Sequence, residues 1–337
     1  MLYIRADMND IIATGHMMRC LSIADAARIQ GEDTTFILAD GQACELVEQR
    51  GYKAIVLHTP WNDMERELPR LSEVIRKEGI KSLLIDSYQV TDGYLRSVTS
   101  QTRTVYIDDI NAFLYPVHAV ICYANYWKKF DYANRYSGVK LYMGTEYVPL
   151  RQAFCGCEEK KIKDMAENVL LLSGGTDPYH VMAGILEQMD TEHYKNIDVI
   201  CGRYDTEYKA LKERYRNCRN LQIHQSVSDI DSYMKSADIA VSAGGTTLYE
   251  LCACGTPAIS YAFADNQLDN VHQFQEDEMI DYAGDARYEN LTGNILGSLE
   301  RHREDRQLRQ QRASKMQRLV DGNGALRIAT ILGEMAR

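Results

Sequence analysis

Two glycine-bearing junctions contain the residues whose types and spacing point to chemistry. The first, 13–19, has the sequence Ala-Thr-Gly-His-Met-Met-Arg and follows an apolar run that we predict to be a strand. The second, 242–250, has the sequence Ser-Ala-Gly-Gly-Thr-Thr-Leu-Tyr-Glu and follows another strand-like run. A glycine turn after a strand lets the backbone approach a ligand closely, and the helix that starts there offers unpaired N–H groups and a positive dipole end. The junctions predict one ligand held between two halves, with a histidine available for acid–base chemistry.

The elements that must position these junctions alternate between strands and helices along the whole chain. Such alternation implies right-handed βαβ units and mainly parallel sheets. The stretch 151–167 is charged and lacks an apolar period, so we expect a linker there. This predicts a first domain at 1–155 and a second at 165–337, with C-terminal helices that could pack back on the first. Ligands of open α/β sheets bind beyond the carboxyl ends of the strands, which predicts a site in an interdomain cleft.

Composition limits the classes of function. The 337 residues carry a net charge of -10, which argues against a general nucleic-acid or anionic-membrane binder. No apolar stretch approaches the roughly 20 residues needed to span a bilayer, so we expect no stable membrane insertion. The N-terminus shows no signal-like segment, and the nine cysteines are typical of reduced thiols. We therefore expect a cytoplasmic protein that is a monomer or a weak homo-oligomer.

Two Cys-x-Cys pairs raise the question of a metal. Cys155 and Cys157 form one pair, and Cys252 and Cys254 form the other. Structural zinc sites more usually have two to four residues between paired ligands, and no paired histidines accompany these cysteines. The sequence favours small buried residues, with no metal and no cofactor expected.

Several motifs together resemble a known family. They are similar in order and spacing to the UDP-sugar hydrolase of bacterial pseudaminic acid synthesis. That family includes spore-coat polysaccharide proteins and shares the GT-B fold of a lipid-linked glucosaminyl transferase of peptidoglycan synthesis. The resemblance covers most of the chain and implies an α/β fold with two Rossmann-like domains facing each other across a cleft. The motifs are Thr14-Gly15-His16-x-x-Arg19, Asp86-Ser87-Tyr88, Asp108-Asp109, Ser173 to Pro178, Gly244 to Thr247 with Glu250, and Ala264 to Gln267.

The resemblance implies a specific activity and a set of site residues. The activity is metal-independent, inverting hydrolysis of a UDP-linked diacetamido-trideoxy sugar to the free sugar and UDP, in pseudaminic acid or surface-polysaccharide synthesis. It implies that His16 is the general base for water, that Tyr88 lies near the sugar or the water, and that Glu250 binds the ribose. The remaining substrate-binding residues that it implies are Thr14, Gly15, Arg19, Asp86, Gly174, Gly244, Gly245, Thr246, Thr247, Asn266 and Gln267.

The chemistry is consistent with these residue types. A glycosidase needs a carboxylic acid to protonate a poor alkoxide leaving group, whereas a diphosphate leaves as a stable anion. That anion needs electrostatic stabilisation, which the helix start at 245–247 could give. Only the nucleophile's proton must then be removed, and a histidine that titrates near neutrality suits that role.

Each candidate also has a structural alternative. His16 could cap or pack a helix, and Arg19 could pair with a carboxylate of its own domain. Glu250 could be a solvated first-turn acid stabilised by the helix dipole. The pair 108–109 could cap the next element, and Asn266 and Gln267 could hydrogen-bond a loop without touching a ligand.

Two other functions remain open at this point. A GT-B glycosyltransferase would use the same donor pocket and differ in admitting a carbohydrate or lipid acceptor instead of water. A membrane-associated transferase should show an apolar patch with a basic rim, and Trp127 with Lys128 and Lys129 is the nearest feature. A noncatalytic nucleotide-sugar sensor is the third reading, made less attractive by His16.

Overall fold

The computed structural model describes residues 1–9, 11–12, 14–202 and 205–337, so Ala13 of the first junction lies outside the described residues. The chain divides into two compact units. One comprises Met1–Gln152 together with Gly322–Arg337, and the other comprises Ala153–Asp321. Each unit contains its own parallel sheet, which confirms the predicted α/β architecture.

The first unit is built on a seven-stranded sheet of order β3-β2-β1-β4-β5-β6-β7. All of its strand pairs are parallel. The strands are β1 (Leu2–Ala6), β2 (Thr34–Leu38), β3 (Lys53–Val56), β4 (Ser82–Asp86), β5 (Arg103–Ile107), β6 (Ala119–Cys122) and β7 (Lys140–Met143). The helices are α1 (Gly15–Ile29), α2 (Cys44–Gln49), α3 (Leu68–Glu78), α4 (Asp92–Thr99) and α5 (Tyr132–Arg135).

Local sequence explains these elements. β1, β2 and β4 are buried along their whole length, as expected for central parallel strands that are covered on both faces. Helix α3 has a proline in its first turn and ends at Gly79, whose φ of 62° places it in the left-handed region that favours glycine. Helix α4 begins after Thr91, whose hydroxyl accepts a hydrogen bond from the Tyr94 amide at 3.0 Å.

The second unit is built on a six-stranded parallel sheet of order β10-β9-β8-β11-β12-β13. Its strands are β8 (Asn168–Leu172), β9 (Asn196–Cys201), β10 (Leu221–Gln225), β11 (Ile239–Ala243), β12 (Ala258–Ala262) and β13 (Ile280–Asp285). Its helices are α6 (Val181–Gln188), α7 (Tyr208–Arg214), α8 (Ile230–Ser236), α9 (Thr247–Cys254), α10 (Asp265–Glu276), α11 (Thr292–Glu304) and α12 (Arg306–Leu319).

The last helix, α13 (Gly324–Ala336), belongs to the first unit. It starts where the backbone passes very close to a neighbouring segment, because a Cβ on Gly324 would lie 2.2 Å from the Val148 carbonyl oxygen. Near its end, Arg103 Nη1 donates to the Met335 carbonyl at 3.1 Å. Among the described helices, none is both long enough and apolar enough to cross a bilayer.

Candidate functional site

The first unit gathers polar side chains at the carboxyl edge of its sheet. His16 lies in the first turn of α1, directly after β1, and Asp86 is the last residue of the neighbouring strand β4. Asp109 and Tyr123 follow β5 and β6, the next two strands in the sheet. Because β1, β4, β5 and β6 are adjacent and parallel, these side chains meet at one edge.

The contact between His16 and Asp86 fixes how the imidazole can act. His16 Nδ1 lies 2.7 Å from Asp86 Oδ1 and 2.9 Å from Arg19 Nη2, and the carboxylate is 1% exposed. Arg19 Nη2 donates to the same carboxylate oxygen, and the shorter approach of Nδ1 to an acceptor-only group requires a donor, so we assign the proton to Nδ1. The neutral ring then carries its lone pair on Nε2, which is the arrangement that a general base requires.

Arg19 lies one turn further along α1 and binds the same carboxylate. Its Nε donates to Asp86 Oδ2 at 2.5 Å, and its Nη2 donates to Asp86 Oδ1. Burial raises the pKa of Asp86, but the charge of Arg19 and the contact with His16 outweigh it, so the pKa falls well below its usual range. Asp86 therefore stays ionised and can stabilise an imidazolium.

Three further residues, Asp109, Tyr123 and Tyr88, complete this cluster. Arg19 Nη1 donates to the Tyr123 hydroxyl and, at 3.3 Å, to Asp109 Oδ2. Tyr88 donates its hydroxyl proton to Asp109 Oδ1 at 2.7 Å, and its ring meets the His16 ring edge-on with the centroids 4.7 Å apart. Burial of the Tyr88 hydroxyl and then the charge of Asp109 raise its pKa, so the phenol keeps its proton.

A small cavity of about 20 Å³ opens beside His16. Trp61 and Tyr88 supply its aromatic lining, with Asp7, Ile12 and Asp86 among the other lining residues. Trp61 was not identified from the sequence, since it lies in a loop far from both junctions. The cavity wall beside His16 therefore has mixed aromatic and acidic character.

The second junction forms a tight turn between β11 and α9. The Gly244 amide donates to the Tyr261 carbonyl at 2.8 Å, and a Cβ on Gly244 would lie 2.3 Å from Val271 Cγ1. Asn270 Nδ2 donates to the Gly244 carbonyl at 3.0 Å and holds the turn in place. A Cβ on Gly245, by contrast, would meet no atom within 4 Å. Gly244 is thus required for packing, whereas Gly245 leaves open space at the helix start.

The remaining residues of this junction lie on the first turn of α9. Thr246 is exposed, and Thr247 and Glu250 are half-buried. The first N–H groups of a helix have no intrahelical partner, so they are available to an anion. The predicted anion-binding residues are therefore accessible within this unit.

The glycine pair after β8 is shaped by a residue that was not identified from the sequence. Gly174 has a φ of 76°, and a Cβ on Gly202 would lie 2.1 Å from the Gly174 carbonyl oxygen. Gly202 follows β9, the strand beside β8, so its missing side chain lets the two loops touch. Asp177 then caps α6 by accepting from the Val181 amide at 3.0 Å.

Two predicted site residues on α10 differ in their surroundings. Gln267 Oε1 accepts a hydrogen bond from the Phe263 amide at 2.9 Å. This is the structural role, hydrogen bonding to a loop, that the sequence left open as an alternative to ligand binding. Asn266 is exposed in the first turn of the helix.

Asp108, in the first unit, has a local structural role. Its carboxylate accepts hydrogen bonds from the amides of Ile110 and Asn111.

The structure also bears on the remaining first-junction residues. Thr14 precedes α1 without a side-chain capping bond, and a Cβ on Gly15 would meet nothing within 4 Å.

Among the described residues, no group of three or more histidine, cysteine or acidic side chains could hold a metal ion. Cys252 and Cys254 are buried on α9.

Comparison with known proteins places this geometry in context. Residues 154–280 match the family model described as glycosyl transferases group 1. The spore coat polysaccharide biosynthesis protein SpsG of Bacillus subtilis is 25% identical over 58% of this chain and 59% of its own length. A UDP-N-acetylglucosamine--N-acetylmuramyl-(pentapeptide) pyrophosphoryl-undecaprenol N-acetylglucosamine transferase of Acidithiobacillus ferrooxidans is 26% identical over 96% of this chain and 95% of its own.

The match to SpsG is partial, and so is a 21% identical match to an uncharacterized Methanocaldococcus jannaschii protein, 52% of which is covered. The chain thus spans little more than half the length of these two curated relatives. Among solved structures, Acinetobacter baumannii MurG superposes with a TM-score of 0.72 at 12% identity, over 99% of both chains. At this level of identity, the superposition shows that the chain has the same fold as that protein.

These comparisons correct the activity that the motifs implied. The prediction of a nucleotide-sugar hydrolase is wrong, because the matching family model describes glycosyl transferases and the relative aligned along nearly the whole chain is a transferase. Pseudaminic acid synthesis finds no support in them either. The physical reason is that hydrolysis and glycosyl transfer need the same two features: a general base, and a helix N-terminus that binds the diphosphate. Motifs that encode these features do not show whether the acceptor is water or a saccharide. The chain has the two-domain α/β fold of the GT-B glycosyltransferases.

Proposed function

We propose that this protein transfers a glycosyl group from a UDP-sugar to a hydroxyl group of a saccharide acceptor during surface-polysaccharide synthesis. The observation that carries the proposal is the 2.7 Å contact of His16 Nδ1 with Asp86 Oδ1, which leaves Nε2 as a base at the carboxyl edge of the first sheet. The family match over 154–280, which includes the second junction, and the printed names of the relatives support the reaction class and the pathway.

The reaction follows from the roles of these groups. His16 Nε2 takes the proton of the acceptor hydroxyl as its oxygen forms a bond to the anomeric carbon. The bond from that carbon to the diphosphate oxygen breaks on the opposite face, and UDP leaves with the electron pair. A single displacement inverts the anomeric configuration. Asp86 stabilises the imidazolium that forms, and general-base catalysis of this kind contributes roughly 10²–10⁴-fold in rate.

The second unit supplies the donor site in this proposal. The diphosphate binds at the N-terminus of α9 around Gly245, Thr246 and Thr247, where the first helix amides and the helix dipole stabilise the departing charge. The Gly245 amide donates to the Ala243 carbonyl at 2.9 Å, so the donors in this proposal are the amides of Thr246 and Thr247. Glu250, one turn further on, accepts hydrogen bonds from the ribose hydroxyls. Gly174, Gly244 and Asn270 shape the backbone around that site.

Arg19 and Asp86 act through His16 rather than on the substrate. Both are at least nine-tenths buried, and their polar atoms bind each other, His16, Tyr123 and Asp109. We therefore treat them as positioning residues. Tyr88 is 37% exposed next to His16 and is the aromatic side chain that we expect to contact the acceptor.

An acceptor-dependence assay tests this function. The purified protein is incubated with a panel of UDP-sugars, alone and with N-acetylated saccharides or polyprenyl-diphosphate-linked saccharides, and UDP release is followed. We expect release that requires an acceptor and is lost in His16→Ala. The control is His58→Asn, an exposed histidine of the first unit whose φ of 56° asparagine tolerates. Release at the same rate without any acceptor would contradict the proposal.

A further inference from the structure

A second cavity lies at the opposite edge of the first sheet from His16. It has a volume of about 420 Å³, within the range of small-molecule sites. Lys81 precedes β4, Arg103 begins β5 and His118 precedes β6, so three adjacent strands each bring one basic residue to it. The strand β4 alone separates Lys81 from Asp86 by roughly 16 Å at about 3.3 Å per residue, which places this cavity well away from the proposed catalytic cluster.

The lining of this cavity is basic in a protein whose net charge is -10. None of the described side chains that line it is acidic, and no described carboxylate side chain pairs with Lys81 or Arg103. The lining also includes Arg337, the last residue of the sequence, whose guanidinium adds a positive charge and whose α-carboxylate adds a negative one. Burial lowers the pKa of His118, and the positive charge of Arg103 lowers it further. That second effect is the signature of a positive potential at the cavity wall, which favours an anion.

Hydrogen-bond donors are also available there. His118 Nδ1 accepts from the Thr104 amide at 3.1 Å, so the neutral ring carries its proton on Nε2. Arg103 Nη1 donates a hydrogen bond to the Met335 carbonyl, and this bond holds the Arg103 guanidinium at the cavity wall near α13.

We propose that this cavity binds a small phosphate-bearing molecule through Lys81, Arg103 and His118. A phosphate group presents several strong acceptors in different directions, and a planar guanidinium, an ammonium and an imidazole N–H match that arrangement. The site is independent of the proposed donor site, since it is built from other strands' amino ends and lies in the other unit.

Calorimetric titration of the full chain with inorganic pyrophosphate in low salt tests this site, and the difference between wild type and Lys81→Gln assigns the binding to this cavity rather than to the proposed donor site. We expect pyrophosphate to bind wild type and the control Lys53→Gln equally, because Lys53 is an exposed lysine at the same sheet edge, on β3, that does not line the cavity. We expect Lys81→Gln to weaken binding by about tenfold and Lys81→Gln with Arg103→Gln to weaken it further.

Thermal unfolding of each variant shows whether it is folded. The double variant loses the Arg103 contact with α13 and could fail to fold, and in that case the single variant Lys81→Gln, which keeps this contact, still tests the site. Equal affinity for pyrophosphate in wild type, Lys81→Gln and Lys53→Gln would overturn the proposal. So would the absence of detectable pyrophosphate binding to wild type.

Discussion

Replacing Asp86 by asparagine is the sharpest structural test of the His16 cluster. The change preserves shape and removes one charge and one acceptor oxygen. Asp86 now accepts from Arg19 Nε and Nη2 and from His16 Nδ1, and an asparagine amide offers a single oxygen for these three donors. Arg19 would remain 9% exposed with Asp109 as its remaining carboxylate partner, at 3.3 Å.

These contacts determine how much free energy of unfolding Asp86→Asn should lose. Breaking a buried ion pair by removing one partner costs about 3–5 kcal/mol, because the other charge is left uncompensated. Arg19 keeps the weaker contact with Asp109, so we expect the lower end of that range, about 3 kcal/mol. Asp109→Asn is the matched control. Its contact with Arg19 is longer and Tyr88 can still donate to the amide oxygen, so we expect a loss of about 1 kcal/mol.

Tryptophan fluorescence provides a reporter for this unit alone. The chain has two tryptophans, Trp61 and Trp127, and both lie in the first unit. Urea unfolding followed by their emission gives the free energy of unfolding of that unit for wild type, Asp86→Asn and Asp109→Asn. Equal losses in the two variants would refute the reasoning that Asp86 is the principal counterion of Arg19.

The same comparison has a defined pH dependence. The folded-state pKa of Asp86 is lowered below the unfolded value of about 3.9, so its contribution is fully present above that value and is lost as pH falls toward the folded pKa. The stability difference between wild type and Asp86→Asn should therefore narrow below about pH 4, as Asp86 becomes protonated in the folded wild type. A difference that stays the same or grows between about pH 4 and the acid limit of folding would contradict the ion pair.

Three further predictions concern activity and the second unit. His16→Ala should cut turnover by at least about a hundredfold while leaving the calorimetric affinity for UDP unchanged, and an active variant would remove His16 from the mechanism. Glu250→Ala should weaken UDP binding by roughly 1–3 kcal/mol, and an unchanged affinity would assign it a surface role. Gly244→Ala should destabilise the second unit by about 1–3 kcal/mol because its Cβ would meet Val271, whereas Gly245→Ala should leave stability unchanged. Circular dichroism melts distinguish these two glycines.

Much of the fold could be predicted because its signals are local. Helix α3 (Leu68–Glu78) is marked in the sequence by a proline in its first turn, an apolar period and a terminal glycine. The strands β4 and β5 are marked by apolar runs. The alternation of such elements is sufficient to predict parallel sheets.

The candidate site was only partly predictable. His16, Asp86 and Tyr88 could be proposed because they belong to motifs, but the pairing of Arg19 with Asp86 is a contact over 67 residues that no local pattern encodes. Tyr123 was missed, although it follows β6 as Asp86 and Asp109 follow or end their strands, and that position rule could have found it. The activity was wrongly predicted because the acceptor is not specified by the residues that bind the donor.

The fate of the donor's sugar tests the central claim most directly. A panel of UDP-sugars carrying ¹³C at the anomeric carbon is incubated with the saccharide acceptors, and the labelled carbon is followed by NMR. Transfer by a single displacement with His16 as base predicts that the label appears in a glycosidic bond to the acceptor, with inverted anomeric configuration. Label that accumulates in free sugar, or in a glycoside of retained configuration, would contradict the account.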